Sequence, residues 1–207
     1  DVMEKVLVSD NELENITFDN LSALRLVNLR NNVLTSVVLK GTKSVEQLAM
    51  SGNKLHSVDI KDLHIDLINA SHDVPAFGFI LDDGKNSAVY LTDTGYINRK
   101  YFSLTKNKTI YIIESNHDEK MLMQGKYPYI LKQRVISDKG HLSNSYTARY
   151  LNKTIGNNTK YIILAHISEN NNTPELAYST VSTLLKENNF DEKNIIYIYN
   201  NEYDTYS

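Results

Sequence analysis

The sequence predicts an α/β chain in two unlike parts: a short solenoid of 21-residue coils over residues 1–63, then a strand–helix alternation over 64–207. Three observations lead there. Seven positions recur at an unbroken 21-residue period through the first third of the chain. The period ends at Ile60, and position 74, where the next Asn is due, holds Val74. Beyond it, short apolar runs of strand length alternate with helix signals, the clearest being Thr173-Pro174 ahead of an amphipathic stretch.

In the repeat, Met3, Val6, Val8, Asn11, Leu13, Ile16 and Phe18 become Leu24, Val27, Leu29, Asn32, Leu34, Val37 and Leu39. They return as Val45, Leu48, Met50, Asn53, Leu55, Val58 and Ile60. Each coil reads as a short strand (Val6/Val8, Val27/Leu29, Leu48/Met50) followed by an Asn that bonds backbone groups where the chain bends away. Each coil buries its apolar face only against its neighbours, so three copies is near the minimum for stability. The spacing Leu-x-x-Leu-x-Leu-x-x-Asn-x-Leu resembles the bacterial leucine-rich repeat. That resemblance implies a protein-binding surface at the variable positions, or a spacer or capping role.

In the second part, residues 65–70, 77–81, 88–91, 109–113, 161–165 and 195–199 read as strands. The turn Asp82-Asp83-Gly84-Lys85 makes a hairpin of the second and third. Helices are expected over 118–124, ended by Gly125, and 142–155, ended by Gly156. The third covers 173–188, with Thr173 as N-cap, Pro174 in the first turn, and Leu176, Thr180, Leu184, Val181 and Leu185 on one face. Strand, helix, strand through 161–199 implies a parallel crossover.

Six motifs occur in order: Ser71-His72-Asp73 with Gly78-Phe79, Thr92-Asp93-Thr94-Gly95-Tyr96, Glu114-Ser115-Asn116-His117-Asp118, Gly125-Lys126-Tyr127-Pro128, Gly140-His141-Leu142-Ser143-Asn144, and Ala165-His166-Ile167-Ser168 with Asn171-Asn172 and Pro174-Glu175-Leu176. Together they resemble the C-terminal half of a metallo-β-lactamase-fold hydrolase, an αββα sandwich, closest to the WalJ/YycJ branch related to ribonuclease Z. The resemblance covers about residues 64–204. It implies a two-metal zinc site in which His72 is a ligand of one ion, Asp93 bridges both and His166 is a ligand of the other. It also implies that His141 is catalytic, assisting at the scissile phosphate as donor or general acid. Glu114 and His117 follow a strand and suit outer partners of the ligands. His56 and His64 carry no functional expectation.

One departure bears on activity. The family draws most of its metal ligands from an earlier His-x-His-x-Asp-His motif, and residues 1–207 contain none. Each of two ions would then have two protein ligands, where a catalytic zinc normally has three and an open position. The expectation is a zinc-dependent phosphodiesterase or nuclease, DNA-exonuclease-like by resemblance, with an incomplete and impaired site. The alternative is a non-catalytic chimera or fragment whose repeats act as a protein-interaction module.

Composition limits the partners. The net charge of −3 argues against a globally basic nucleic-acid binder. Residues 99–139 nevertheless hold nine Lys/Arg against four acids, a patch suited to a phosphate backbone. The absence of cysteine excludes disulfides and thiolate metal sites. No apolar run approaches the roughly 20 residues of a membrane span, so no membrane contact and a cytoplasmic location are expected.

Overall fold

The computed structural model describes residues 2–60, 63–186 and 195–197. They fall into two compact units, one of residues 1–67 with 81–85, the other of 68–80 with 86–207.

The first unit stacks coils that carry two strands each, where the sequence predicts one. β1 (Lys5–Leu7), β3 (Leu26–Asn28) and β5 (Gln47–Ala49) lie parallel, with residues 21 apart in register: Val6 faces Val27 and Val27 faces Leu48. β2 (Asn15–Asp19), β4 (Ser36–Lys40) and β6 (Ser57–Ile60) stack the same way, Ile16 beside Val37 beside Val58. The second strand of each coil stands in the sequence only as the pair Ile16/Phe18 and its repeats, too short an alternation to signal a strand unaided. β7 (Leu63–Asn69) pairs antiparallel with β6, Ser57 opposite Asp66. Leu24, Leu29, Leu34 and Val37 are fully buried between the coils.

The repeated Asn residues form the expected ladder. Asn32 Nδ2 donates to the carbonyls of Val8 (2.9 Å) and Leu29 (3.1 Å), and its Oδ1 accepts from the Leu13 N–H at 3.1 Å. One coil further on, Asn53 does the same with Leu29 O (2.8 Å), Met50 O (2.9 Å) and the Leu34 N–H (3.1 Å). Each amide thus bonds its own coil and the preceding one, so the stacking is specified by polar satisfaction as well as by area buried. Asn11 has no coil before it and only donates to Val8 O and Ser9 O, from an exposed position.

In the second unit β8 (Phe77–Asp82) and β9 (Ser87–Leu91) are joined by four residues, a connection that only an antiparallel hairpin allows. β10 (Ile110–Glu114), β11 (Tyr161–Ala165) and β12 (Ile195–Tyr197) follow, in the spatial order β12-β11-β10-β9-β8. Pairs β9·β10, β10·β11 and β11·β12 are all parallel. α1 (Phe102–Thr105), α2 (Glu119–Gln124), α3 (Tyr129–Ile136), α4 (Asn144–Thr154) and α5 (Pro174–Leu185) connect them.

Three of these helices start where capping chemistry dictates. The side chains of Asp118, Ser143 and Thr173 accept from the N–H groups of Met121, Tyr146 and Leu176. α4 therefore begins at Asn144, two residues later than expected, because Ser143 is its cap. The buried face of α5 is Ala177, Val181 and Leu185, at i, i+4 and i+8; Leu176 and Thr180 of the expected face are only partly buried. α3 carries no sequence signal, since its apolar residues point all ways: Val135 is buried while Ile130 is 83% exposed. The expected helix end at 187–188 and strand end at 198–199 lie outside the described residues. No helix among the described residues is long and apolar enough to cross a membrane.

Asn32→Ala removes one acceptor and a donor shared between two coils in a buried bend, and is expected to cost about 2–3 kcal/mol. Asn11→Ala, at the exposed end of the ladder, should cost under about 0.5 kcal/mol. Urea unfolding of both variants checks this; equal losses would contradict the ladder.

Candidate metal centre

Parallel pairing sets three chemical residues side by side. Leu91 at the end of β9 pairs with Ile113, and Glu114 at the end of β10 pairs with Ala165 at the end of β11. Asp93 lies two residues past β9, Glu114 closes β10, and His166 immediately follows β11. All three stand at the carboxyl ends of parallel strands, where open α/β sheets bind ligands. His72 comes from the loop after β7, and His141 from the loop between α3 and α4.

Asp93 and His166 both turn in the left-handed region, each with φ of 54°. The remaining non-glycine residues with positive φ are Asn or Asp, which tolerate it best. His166 is the exception, and held strain of this kind gathers at functional sites.

The histidines are oriented from behind. Glu114 is fully buried, and its Oε1 lies 2.7 Å from His141 Nδ1 and 2.6 Å from His166 Nδ1. Its Oε2 accepts the Thr94 N–H at 3.0 Å. Burial pushes the Glu114 carboxyl up, but the hydrogen bonds and charges of the two imidazoles more than offset this and hold it below its ordinary value. As a carboxylate it accepts an Nδ1–H from each ring, which makes Nε2 the lone-pair nitrogen of both. His72 Nδ1 lies 3.3 Å from Gly140 O, so the same tautomer follows there. On the other side, His72 Nε2 and His166 Nε2 stand 4.0 and 3.7 Å from Asp93 Oδ1. The rings of His72 and His141, and of His141 and His166, are each 5.1 Å apart.

Neighbouring donors on one zinc at about 2.0–2.1 Å are separated by about 3.3 Å. Donor atoms of His72, Asp93 and His141 all lie within 4.8 Å of one another, a spacing and chemistry that fit a divalent ion. Glu114, His141 and His166 also fall within that distance. Their 2.6–2.7 Å separations, however, are hydrogen-bond lengths with no room for an ion between. The residues of this chain therefore fit one ion and do not fit two.

The structure brings His72, Asp93, His141 and His166 together. Glu114 has the geometry of an outer partner, but His117 does not: it is 2% exposed, away from the ligand nitrogens, with its Nδ1 unpartnered. Sequence reasoning missed Asp73 and Arg134. Asp73 pairs with Arg134, and its Oδ1 lies 3.3 Å from His72 Nε2. Arg134 lines a cleft of about 250 Å³ together with His72, His141 and His166. It also missed the buried reciprocal amide pair Asn144–Asn172 (2.9 and 2.8 Å), although both residues stand in the quoted motifs. Asn172 Nδ2 also donates to Ser115 O at 2.8 Å, which ties the strand end bearing Glu114 to the start of α5. A larger cavity, about 790 Å³, lies in the first unit and holds none of these residues.

No family model matches the sequence. The exodeoxyribonuclease WalJ of Streptococcus pneumoniae is 43% identical over 129 residues, 61% of this chain and 47% of that protein. The exodeoxyribonuclease YycJ of Bacillus anthracis is 37% identical over 131 residues, 62% of this chain and 49% of that protein. The chain thus spans about half the length of the curated relatives it matches. The metallo-β-lactamase fold protein YhfI from Bacillus subtilis superposes with a TM-score of 0.51 at 14% identity, covering 79% of this chain and 62% of that one. At that identity the likeness is one of fold.

Burial pushes the His117 imidazole down to about 4, with the charges of Glu114 and Glu119 opposing it. Between that value and 6.5 the unfolded chain binds a proton that the folded chain does not, so stability falls as pH falls through this window. The contribution is about 3 kcal/mol. His117→Leu, melted at intervals from pH 7 to 4, should lose correspondingly less stability than the native chain; a constant offset would contradict this.

Proposed function

We propose that this chain is a metal-dependent phosphodiester hydrolase, a nuclease of the exodeoxyribonuclease kind that uses zinc. The observation that carries the reading is the single carboxylate oxygen of Glu114 that holds His141 and His166, so that both face Asp93 and the cleft. The names of the two relatives support it. A divalent ion bound here would activate a water and steady charge on the phosphoryl oxygens.

The chain's own residues supply the surroundings. Glu114 fixes the tautomers, the Gly140 carbonyl orients His72, and Arg134 offers a planar donor fork suited to a phosphate. In the present structure that fork is occupied by Asp73, whose carboxyl Arg134 holds below its usual range. The basic run over 99–139 supports DNA as the substrate: Arg134 borders the metal cleft, Lys126 borders the adjoining cleft, and Tyr127 lines both. With donors for one ion, turnover by this chain alone is expected to be weak. We assign the coils to the leucine-rich-repeat type, as an interaction or capping segment, on the 21-residue register and the Asn ladder.

End-labelled linear DNA incubated with the zinc-loaded chain should release nucleotides, and release should stop on chelation and in Asp93→Ala. Arg134→Gln should raise KM by about 10-fold or more while kcat stays within about twofold. Intact DNA in the presence of the native, metal-loaded chain would remove the reading.

A further inference from the structure

We propose that His141 is a metal ligand: the chain binds a single divalent ion through His72, Asp93 and His141, and His166 is not a ligand of that ion. The assignment rests on the hydrolase reading for its chemistry, but it departs from the resemblance, which gives His72 and His166 to two ions and leaves His141 as a proton donor.

Four observations carry it. Donor atoms of His72, Asp93 and His141 lie mutually within 4.8 Å, and His166 is not part of that set. Three protein donors with an open position is the pattern of a catalytic zinc. Next, His72 and His141 are each held through Nδ1, by Gly140 O at 3.3 Å and by Glu114 Oε1 at 2.7 Å. Nε2 is then the binding nitrogen of both, in the carboxylate- or carbonyl-backed arrangement that zinc-bound imidazoles use. Third, the loops bearing Asp93 and His141 are locked to each other. A Cβ at Gly95 would collide with the backbone of Ser137 and Asp138, and one at Gly140 with the backbone of Arg134 and Val135. The two donors are therefore placed jointly. Finally, among the described residues His166 belongs only to the set in which Glu114 already accepts hydrogen bonds from both rings, and it meets Asp93 from outside the first set.

The test is zinc affinity, measured by competition with a chromophoric chelator on the chelator-stripped full chain. One zinc per chain is expected. His141→Gln, whose amide can still donate to Glu114, should weaken binding by more than about 100-fold, the upper end of what losing an outer partner costs. His166→Gln should stay within about 10-fold. In the zinc-loaded native chain, outer-shell scattering in X-ray absorption should count two imidazoles per zinc, a result that does not depend on any variant folding. Native-like affinity in His141→Gln, or one imidazole per zinc, would overturn the assignment. Zinc bound as stated by a chain that leaves DNA intact would remove the proposed function and keep the metal site; failure to bind zinc at all would remove both.

Discussion

One buried carboxylate organises this site. Glu114 is taken fully out of water at the end of β10, a cost that an unpaired charge could not bear. It is compensated on all sides: two imidazole N–H groups on Oε1 and the Thr94 N–H on Oε2, with its own backbone carbonyl accepting from Thr147 Oγ1 at 2.5 Å. Three chain segments distant in sequence are thereby tied to one residue. The turn after β9 delivers Asp93, the loop ahead of α4 delivers His141, and the end of β11 delivers His166. A site built this way keeps its imidazoles in a fixed tautomer and direction before anything binds.

The fold contributes by ending parallel strands level with one another. Register places the ends of β9, β10 and β11 side by side, and the chain leaves two of them through left-handed residues that carry the chemistry themselves. Behind these turns the Asn144–Asn172 amide pair and the Ser115 hydroxyl on Asn144 Oδ1 (2.7 Å) fill the space with satisfied polar groups. Such networks add rigidity only when every member is paired. His117, just beyond this network, keeps an unpartnered nitrogen instead and is held neutral by burial.

Much of this was legible in the sequence where the signal is local. The 21-residue register placed the coils and the Asn ladder, because identical positions in successive coils have to meet. Asp118, Ser143 and Thr173 marked three helix starts, since a cap acts within its own turn. His72, Asp93, His141 and His166 stood out as potential donors after apolar runs. What could not be read depends on pairing across the chain. Nothing near Asp73 announces Arg134, 61 residues away. That Glu114 faces the site while His117 does not turns on strand geometry, although both follow the same apolar run. The second strand of each coil and the helix α3 escaped because their local patterns are too short or too evenly apolar. The count of ions the site fits is a matter of distances that spacing alone cannot supply.

The claim that Glu114 sets the two rings is tested most directly by imidazole ¹⁵N resonances of the metal-free chain near neutral pH. The account predicts that His141 and His166 both carry their proton on Nδ1, with Nε2 unprotonated, and that Glu114→Gln disturbs both rings together. Both rings protonated on Nε2, or a Glu114→Gln change that leaves them as they were, would contradict it.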